Sequence, residues 1–207
     1  MPRQPESQDP PRADHGDPRQ EAILRATLDL LRDGGYTSVT TDAIAARAGV
    51  SKSTLYRRWR NKTQLLLDAA YLEIPRVHVP DVGDFRDQVR LLLEQRLEQY
   101  RKPGVERSFG GLIGAAAENP EFGDSFSEWI EVQKSATAQI IQRAIARGEV
   151  RPDINVDHLT TLIAAPLVFR LVVERRTPDK EFVESILNVI CRAIAVTPTE
   201  PEQERAV

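Results

Sequence analysis

Residues 40 to 66 read TTDAIAARAGVSKSTLYRRWRNKTQLL, and the spacing inside this stretch decides the fold. Ile44, Ala48, Val50, Leu55 and Trp59 fall where two short helices crossing at a sharp turn need their inward side chains. Gly49 supplies the turn, because a residue without Cβ takes positive φ at no steric cost. The pattern predicts a second helix over about 42–48, capped by Thr40 or Thr41, and a third from Lys52 to about Trp59, capped by Ser51. Val50 and Leu55 stand at the two ends of a hydrophobic staple around that cap.

Leu55 and Trp59 are four apart and share the inner face of the third helix. At 100° per residue Ser53 and Arg57 point away from that seam, with Thr54 and Tyr56 on its flanks. Charge follows the same division. The net formal charge is -3, but counting Lys and Arg against Asp and Glu gives -2 for residues 1–18, +4 for 19–72 and -5 for 73–207. Between Asp42 and Asp68 stand Arg47, Lys52, Arg57, Arg58, Arg60 and Lys62, with no acid among them. A cationic helix face on an acidic body suits the major groove of a duplex.

Working outward, Asp17, Pro18 and Gln20 read as N-cap, N1 and N3 of a first helix. Its apolar residues Ile23, Ala26, Thr27, Leu30 and Leu31 form one stripe, and Gly34-Gly35 is expected to end it. A fourth helix is expected from Asn61, with Gln64 as capping partner, to Ile74 before Pro75. Further helices are read near 84–101, 105–118, 121–147, 156–176 and 179–196, punctuated by Pro103, Asn119-Pro120, Gly148 and Pro178. No alternating strand pattern occurs, so the expected fold class is all-α. Residues 1–18 hold five prolines and no aromatic or β-branched residue, and are expected to be a disordered tail, as are 198–207.

Composition excludes several classes. The 207 residues are 41% hydrophobic and 29% charged, which fits a folded soluble chain. Cys191 is the single cysteine, and His15, His78 and His158 are far apart, so neither a disulfide framework nor a spaced metal-ligand set is present. The N-terminal stretch has no apolar signal-like run, and the expected location is cytoplasmic. No Walker, GxGxxG or GxSxG pattern occurs, and no catalytic residue, metal or cofactor is expected.

The residues 40–66, with their Thr, Ile-Ala, Ala-Gly-Val-Ser, Leu-Tyr and Asn-Lys positions, resemble the DNA-binding domain of TetR-family transcriptional regulators. The resemblance covers 19–72 as the helix-turn-helix domain; residues 73–197 match only in length, helicity and a closing pair of apolar helices. It differs in carrying Trp59 where the family often has Phe. It implies that Lys52, Ser53 and Tyr56 lie at or near base edges and phosphates, and that Thr41, Thr54, Tyr56, Arg58 and Lys62 are placed for the backbone. At least one of Arg57, Arg58 and Arg60 is expected to touch DNA. A lysine at a helix start opposes the macrodipole unless an anion sits there, which favours a phosphate at Lys62.

The resemblance also implies a small-molecule effector bound in the larger domain. Phe85, Leu92, Phe109, Leu112, Ile113, Phe126, Trp129, Leu162 and Phe169 are the candidate lining, although a helical core needs such residues as well. Gly110, Gly111 and Gly114 thin one helix, for a cavity or for close packing. Leu159 to Val173 is apolar at 12 of 15 positions, yet carries Arg170 and is followed by Arg175-Arg176, so it reads as too short and too charged to span a bilayer. With the stripe of the last helix it calls for a covering partner. Leu167, Leu171, Val183, Ile186, Leu187, Ile190 and Ile194 are the expected homodimer interface. The whole reads as a homodimeric, effector-released repressor on a pseudo-palindromic operator. The rival reading is a receptor or enzyme with a vestigial helix-turn-helix, which has no use for so basic a third helix.

Overall fold

The computed structural model describes residues 17–194, so the tails expected at 1–18 and 198–207 lie outside the described residues except for Asp17 and Pro18. Those two begin α1 (Pro18–Ser38): the Asp17 carboxylate accepts from the Arg19 amide at 3.0 Å. Gln20 does not complete a capping box. It is buried, and its Oε1 has no hydrogen-bond partner. Gly35 breaks the helical geometry as expected, at φ 68° and ψ -167°, but a further turn follows to Ser38, whose hydroxyl reaches the Leu30 carbonyl at 2.6 Å.

The decisive stretch forms α2 (Thr41–Ala48), α3 (Lys52–Arg58) and α4 (Lys62–Glu73). Thr40 is the α2 cap, accepting from the Ala43 amide at 3.2 Å. Gly49 sits at φ 65°, ψ 33°, and the Val50 amide donates to the Ala45 carbonyl at 3.0 Å, which closes the helix end with a left-handed residue. Ser51 accepts from the Thr54 amide at 3.2 Å, and Asn61 from the Gln64 amide at 2.9 Å. Each helix of the head therefore starts on a side chain that replaces a missing intrahelical acceptor.

The body consists of α5 (Phe85–Tyr100), α6 (Val105–Glu118), α7 (Pro120–Ala146), α8 (Val156–Val168) and α9 (Lys180–Ile194). The described residues contain no strand, and the fold is all-α. α1 packs along α2, α4 and α6, so α6 is the body helix that α1 of the head meets. The close approach comes from Gly111: a Cβ there would stand 2.8 Å from Leu31 Cγ, whereas one on Gly114 would meet nothing within 4 Å. Arg32 ties α1 to α4 and α6, donating to Glu73 of α4 at 2.9 Å and to Ser108 of α6.

The helix expected over 156–176, with a kink at Pro166, runs from Val156 to Val173 but changes its winding on the way. After Val168 the chain takes a π-helical turn, Phe169–Val173. Pro166 is the physical reason at hand: its ring nitrogen has no proton for the ladder and its bulk crowds the turn behind it. The stretch Val156–Val173 is long and apolar enough to cross a membrane by length and composition, with mean hydropathy 1.6, which corrects the sequence-based exclusion on those two counts. Only 28% of it is buried in the chain.

Most of the expected dimer residues lie inside the chain, with Ile186, Ile190 and Ile194 on the wall of a groove between α8 and α9. Leu167, Leu171, Val183, Leu187, Ile190 and Ile194 are buried within the single chain, because α9 turns its strong stripe onto α5 and α8; only Ile186 remains half exposed. On α8, the π-helical turn and α9, Leu162, Phe169, Val173 and Val189 are each more than half exposed.

Candidate nucleic-acid interface and effector cavity

α3 separates its faces cleanly. Leu55 and Trp59 are each 3% exposed, and the Trp59 indole donates to Asp68 of α4 at 2.7 Å, locking the recognition helix to the next one. Tyr56 is 62% exposed despite being aromatic. Lys52, Ser53, Arg57, Arg58 and Arg60 are exposed around it, with Thr41 and Thr54 half exposed.

The cationic surface is partly met by the chain's own acids. Lys52 pairs with Asp42, which raises its pKa by hydrogen bonding and by charge, and Arg58 pairs with Asp17 at 3.1 Å. Arg47 pairs with Asp33 at 2.8 Å. Among the described residues Arg57 and Arg60 form no such pair. All three pairs are solvent-exposed, where water and salt screen the attraction. A phosphate can therefore displace them at small cost.

Lys62 departs from expectation. Its ammonium donates to the Tyr36 carbonyl at 2.7 Å and lies 3.4 Å from the centroid of the Tyr36 ring, and burial lowers its pKa. The group that opposes the α4 dipole is answered by the carbonyl end of the last turn of α1, not by a free phosphate site. At the start of α4 the Asn61 side chain accepts from the Gln64 amide.

In the body, α5, α6, α7, α8 and the π-helical turn surround a cavity of 520 Å³. Leu92, Phe109, Ile113, Trp129 and Phe169 line it, as the sequence suggested. Four candidates do not. Phe85 packs at the start of α5, where its amide donates to Glu149; Leu112 is wholly buried in the core; Phe126 stacks on Trp129 at 5.2 Å from behind; and Leu162 faces a separate groove against α9. Leu167, read from the sequence as an interface residue, is on the cavity wall.

The polar wall was missed. Arg96, Tyr100, Gln133, Lys134, Thr137 and Thr161 also line the cavity. Gln133 donates to the Ile74 carbonyl at 3.0 Å, and Arg96 and Gln99 each donate to the Pro75 carbonyl at 3.1 Å, so this wall holds the carboxyl end of α4. A readable signal existed for Arg96: Val89, Leu92, Leu93, Arg96 and Leu97 follow the i, i+3, i+4, i+7, i+8 spacing, which puts a cation in an apolar stripe.

A helix-turn-helix head with an exposed basic recognition helix, joined to an all-helical body with an apolar cavity, defines a class of DNA-binding transcriptional regulators. Residues 23–69 match the family model described as bacterial regulatory proteins, tetR family, and 79–190 match the tetracyclin repressor-like C-terminal domain. An uncharacterized HTH-type transcriptional regulator of Mycobacterium bovis is 34% identical over 83% of this chain and 85% of its own. A DNA-binding transcriptional repressor of Mycobacteroides abscessus is 27% identical over 86% of this chain and 96% of its own. The crystal structure of FadR from Bacillus subtilis in complex with stearoyl-CoA superposes with a TM-score of 0.69 at 17% identity, covering 84% of this chain and 98% of that one. The chain belongs to the TetR family of transcriptional regulators.

Proposed function

We propose that this regulator is a repressor that binds a pseudo-palindromic operator as a homodimer and leaves it when a small, largely apolar effector enters the body. Residues 19–72 read DNA and residues 73–197 bind the effector and dimerise, in the cytoplasm and without enzymatic activity. The observation that carries the reading is Tyr56, an aromatic side chain 62% exposed on a helix whose other face is locked in the core. Around it Lys52, Ser53, Thr54, Arg57 and Arg58 contact base edges and phosphates, with Thr41 on the backbone. In a dimer the two copies of α3 enter major grooves about one helical turn apart, roughly 34–36 Å.

The partner proposed for the apolar outer face is a second copy, not a bilayer. Supporting this, Leu162, Pro166, Ile186 and Val189 line a groove of 660 Å³ between α8 and α9, bordered by polar Asp153, Asn155 and Ser185. Arg170 in the same stretch stacks over the Phe182 ring at 4.2 Å, a cation that lipid would not solvate. The effector proposal rests on the 520 Å³ cavity and its attachment to the end of α4, and the related FadR was crystallised with stearoyl-CoA. An effector that prefers one setting of α4 would shift the distance between the two heads.

A gel shift with the duplex beside the protein's own coding region tests the reading. A shift at low salt that Tyr56→Ala weakens is the expected result; no shift at low salt would sink it.

A further inference from the structure

The cavity wall carries two polar groups that the fold leaves without their natural complement. Arg96 is 8% exposed, and its hydrogen-bond partners are neutral. Nη1 donates to the Pro75 carbonyl at 3.1 Å and to Gln99 Oε1 at 2.8 Å, and Nη2 donates to Gln133 Oε1 at 2.7 Å. No carboxylate pairs with it among the described residues, and burial lowers its pKa with only the Tyr100 phenol opposing the effect. Buried cations are ordinarily matched by an anion.

The second group is the indole N–H of Trp129. The residue is 3% exposed, its Nε1 has no acceptor, and it lines the same cavity. Trp129 and Gln133 are four apart on α7 and so share a face of that helix, and both line the cavity. The other cation on the wall, Lys134, is already matched by Asp157 and by Glu131, and no acidic side chain lines the cavity.

We infer that the effector is an organic acid with an apolar body: its carboxylate meets Arg96, Trp129 donates to an acceptor at or beside that head, and the body lies against Leu92, Phe109 and Phe169. The inference rests on the effector reading above and narrows it to one chemical class. An anion supplies the charge-assisted bonds that carbonyls and carboxamides give only weakly, and it brings an acceptor to a donor that otherwise has none. A neutral or cationic molecule of the same shape leaves Arg96 as it is.

Isothermal titration calorimetry of the full chain tests this, using three probes built on a ten-carbon chain, each at a concentration where it stays monomeric: decanoate, 1-decanol and decyltrimethylammonium. Decanoate is expected to bind about tenfold or more tightly than either of the others. Arg96→Gln should abolish that preference and leave 1-decanol binding within about twofold. Trp129→Phe, which keeps a ring and removes the N–H, should weaken decanoate by about three- to tenfold. Equal binding of the three probes overturns the acid preference and leaves the effector cavity standing. Binding by none of them overturns both. A preference that survives in Arg96→Gln removes Arg96 from the site. If that variant does not fold, the ranking of the three probes on the unaltered chain still supports or overturns the acid preference.

Discussion

The ammonium of Lys62, at the first position of α4, donates to the backbone carbonyl of Tyr36 in the last turn of α1 at 2.7 Å. A positive end of one helix thereby meets a negative end of another, with the Tyr36 ring against the cation at 3.4 Å. The contact clamps the start of α4 to the first helix of the head. Lys62→Met should lower stability by about 1–2 kcal/mol in a urea melt. It should leave the slope of log affinity against log salt unchanged in operator binding. A slope smaller by about 1 would return Lys62 to the phosphate contacts.

Tyr56 and Trp59 lie three apart at the end of the recognition helix and should respond oppositely. Tyr56→Ala, at an exposed site, is expected to change stability by no more than about 0.5 kcal/mol while weakening DNA binding about tenfold or more. Trp59→Ala empties a buried site and removes the indole N–H that donates to Asp68. It should cost about 3–5 kcal/mol in a thermal melt, and lose DNA binding only by unfolding the head.

Two glycines on α6 provide a matched pair. Gly111→Ala drives a methyl into Leu31, 2.8 Å from the built Cβ, and should destabilise by about 1–3 kcal/mol. Gly114→Ala meets open space and should stabilise by about 0.5–1 kcal/mol through the better helix former. Chemical denaturation of both variants checks the packing between head and body.

Val189 and Leu162 are the outward residues of α9 and α8, 70% and 62% exposed. Val189→Glu combined with Leu162→Glu should turn the chain monomeric in sedimentation at micromolar concentration with little change in helicity. Leu187→Glu, at a site wholly buried in one chain, should unfold it instead. If the exposed pair leaves a dimer intact, this face is not the interface.

Glu184 joins α9 to α5 through Arg90 at 2.6 Å and Arg86 at 2.7 Å, and these guanidinium bonds hold its carboxyl below the ordinary 4.5. Because the folded chain binds that proton less readily than the unfolded one, the stabilisation is complete above 4.5 and drains as pH falls through the folded value. The side chain is 40% exposed, so solvent screening limits the contribution to about 1 kcal/mol or less. Glu184→Gln should lower the melting temperature at pH 7 and flatten its decline on the acid side, measured by calorimetry from about pH 7 to 3.

Features settled within a few residues of the chain were legible before any fold was known. Caps at Asp17, Ser51 and Asn61, a threonine cap at Thr40 or Thr41, the left-handed turn at Gly49 and the apolar stripes are local matters of hydrogen-bond supply and 3.6-residue periodicity. From them follow the all-α class and the two faces of α3. Which of two uses a side chain serves depended on packing instead. An apolar stripe on α9 reads the same whether it covers its own α5 or a second copy, and Lys62 reads the same whether it reaches a phosphate or Tyr36. Arg96, Gln133 and Trp129 come together because α5 and α7 cross, and a contact between residues 37 apart in sequence is fixed by that crossing, which no local periodicity encodes.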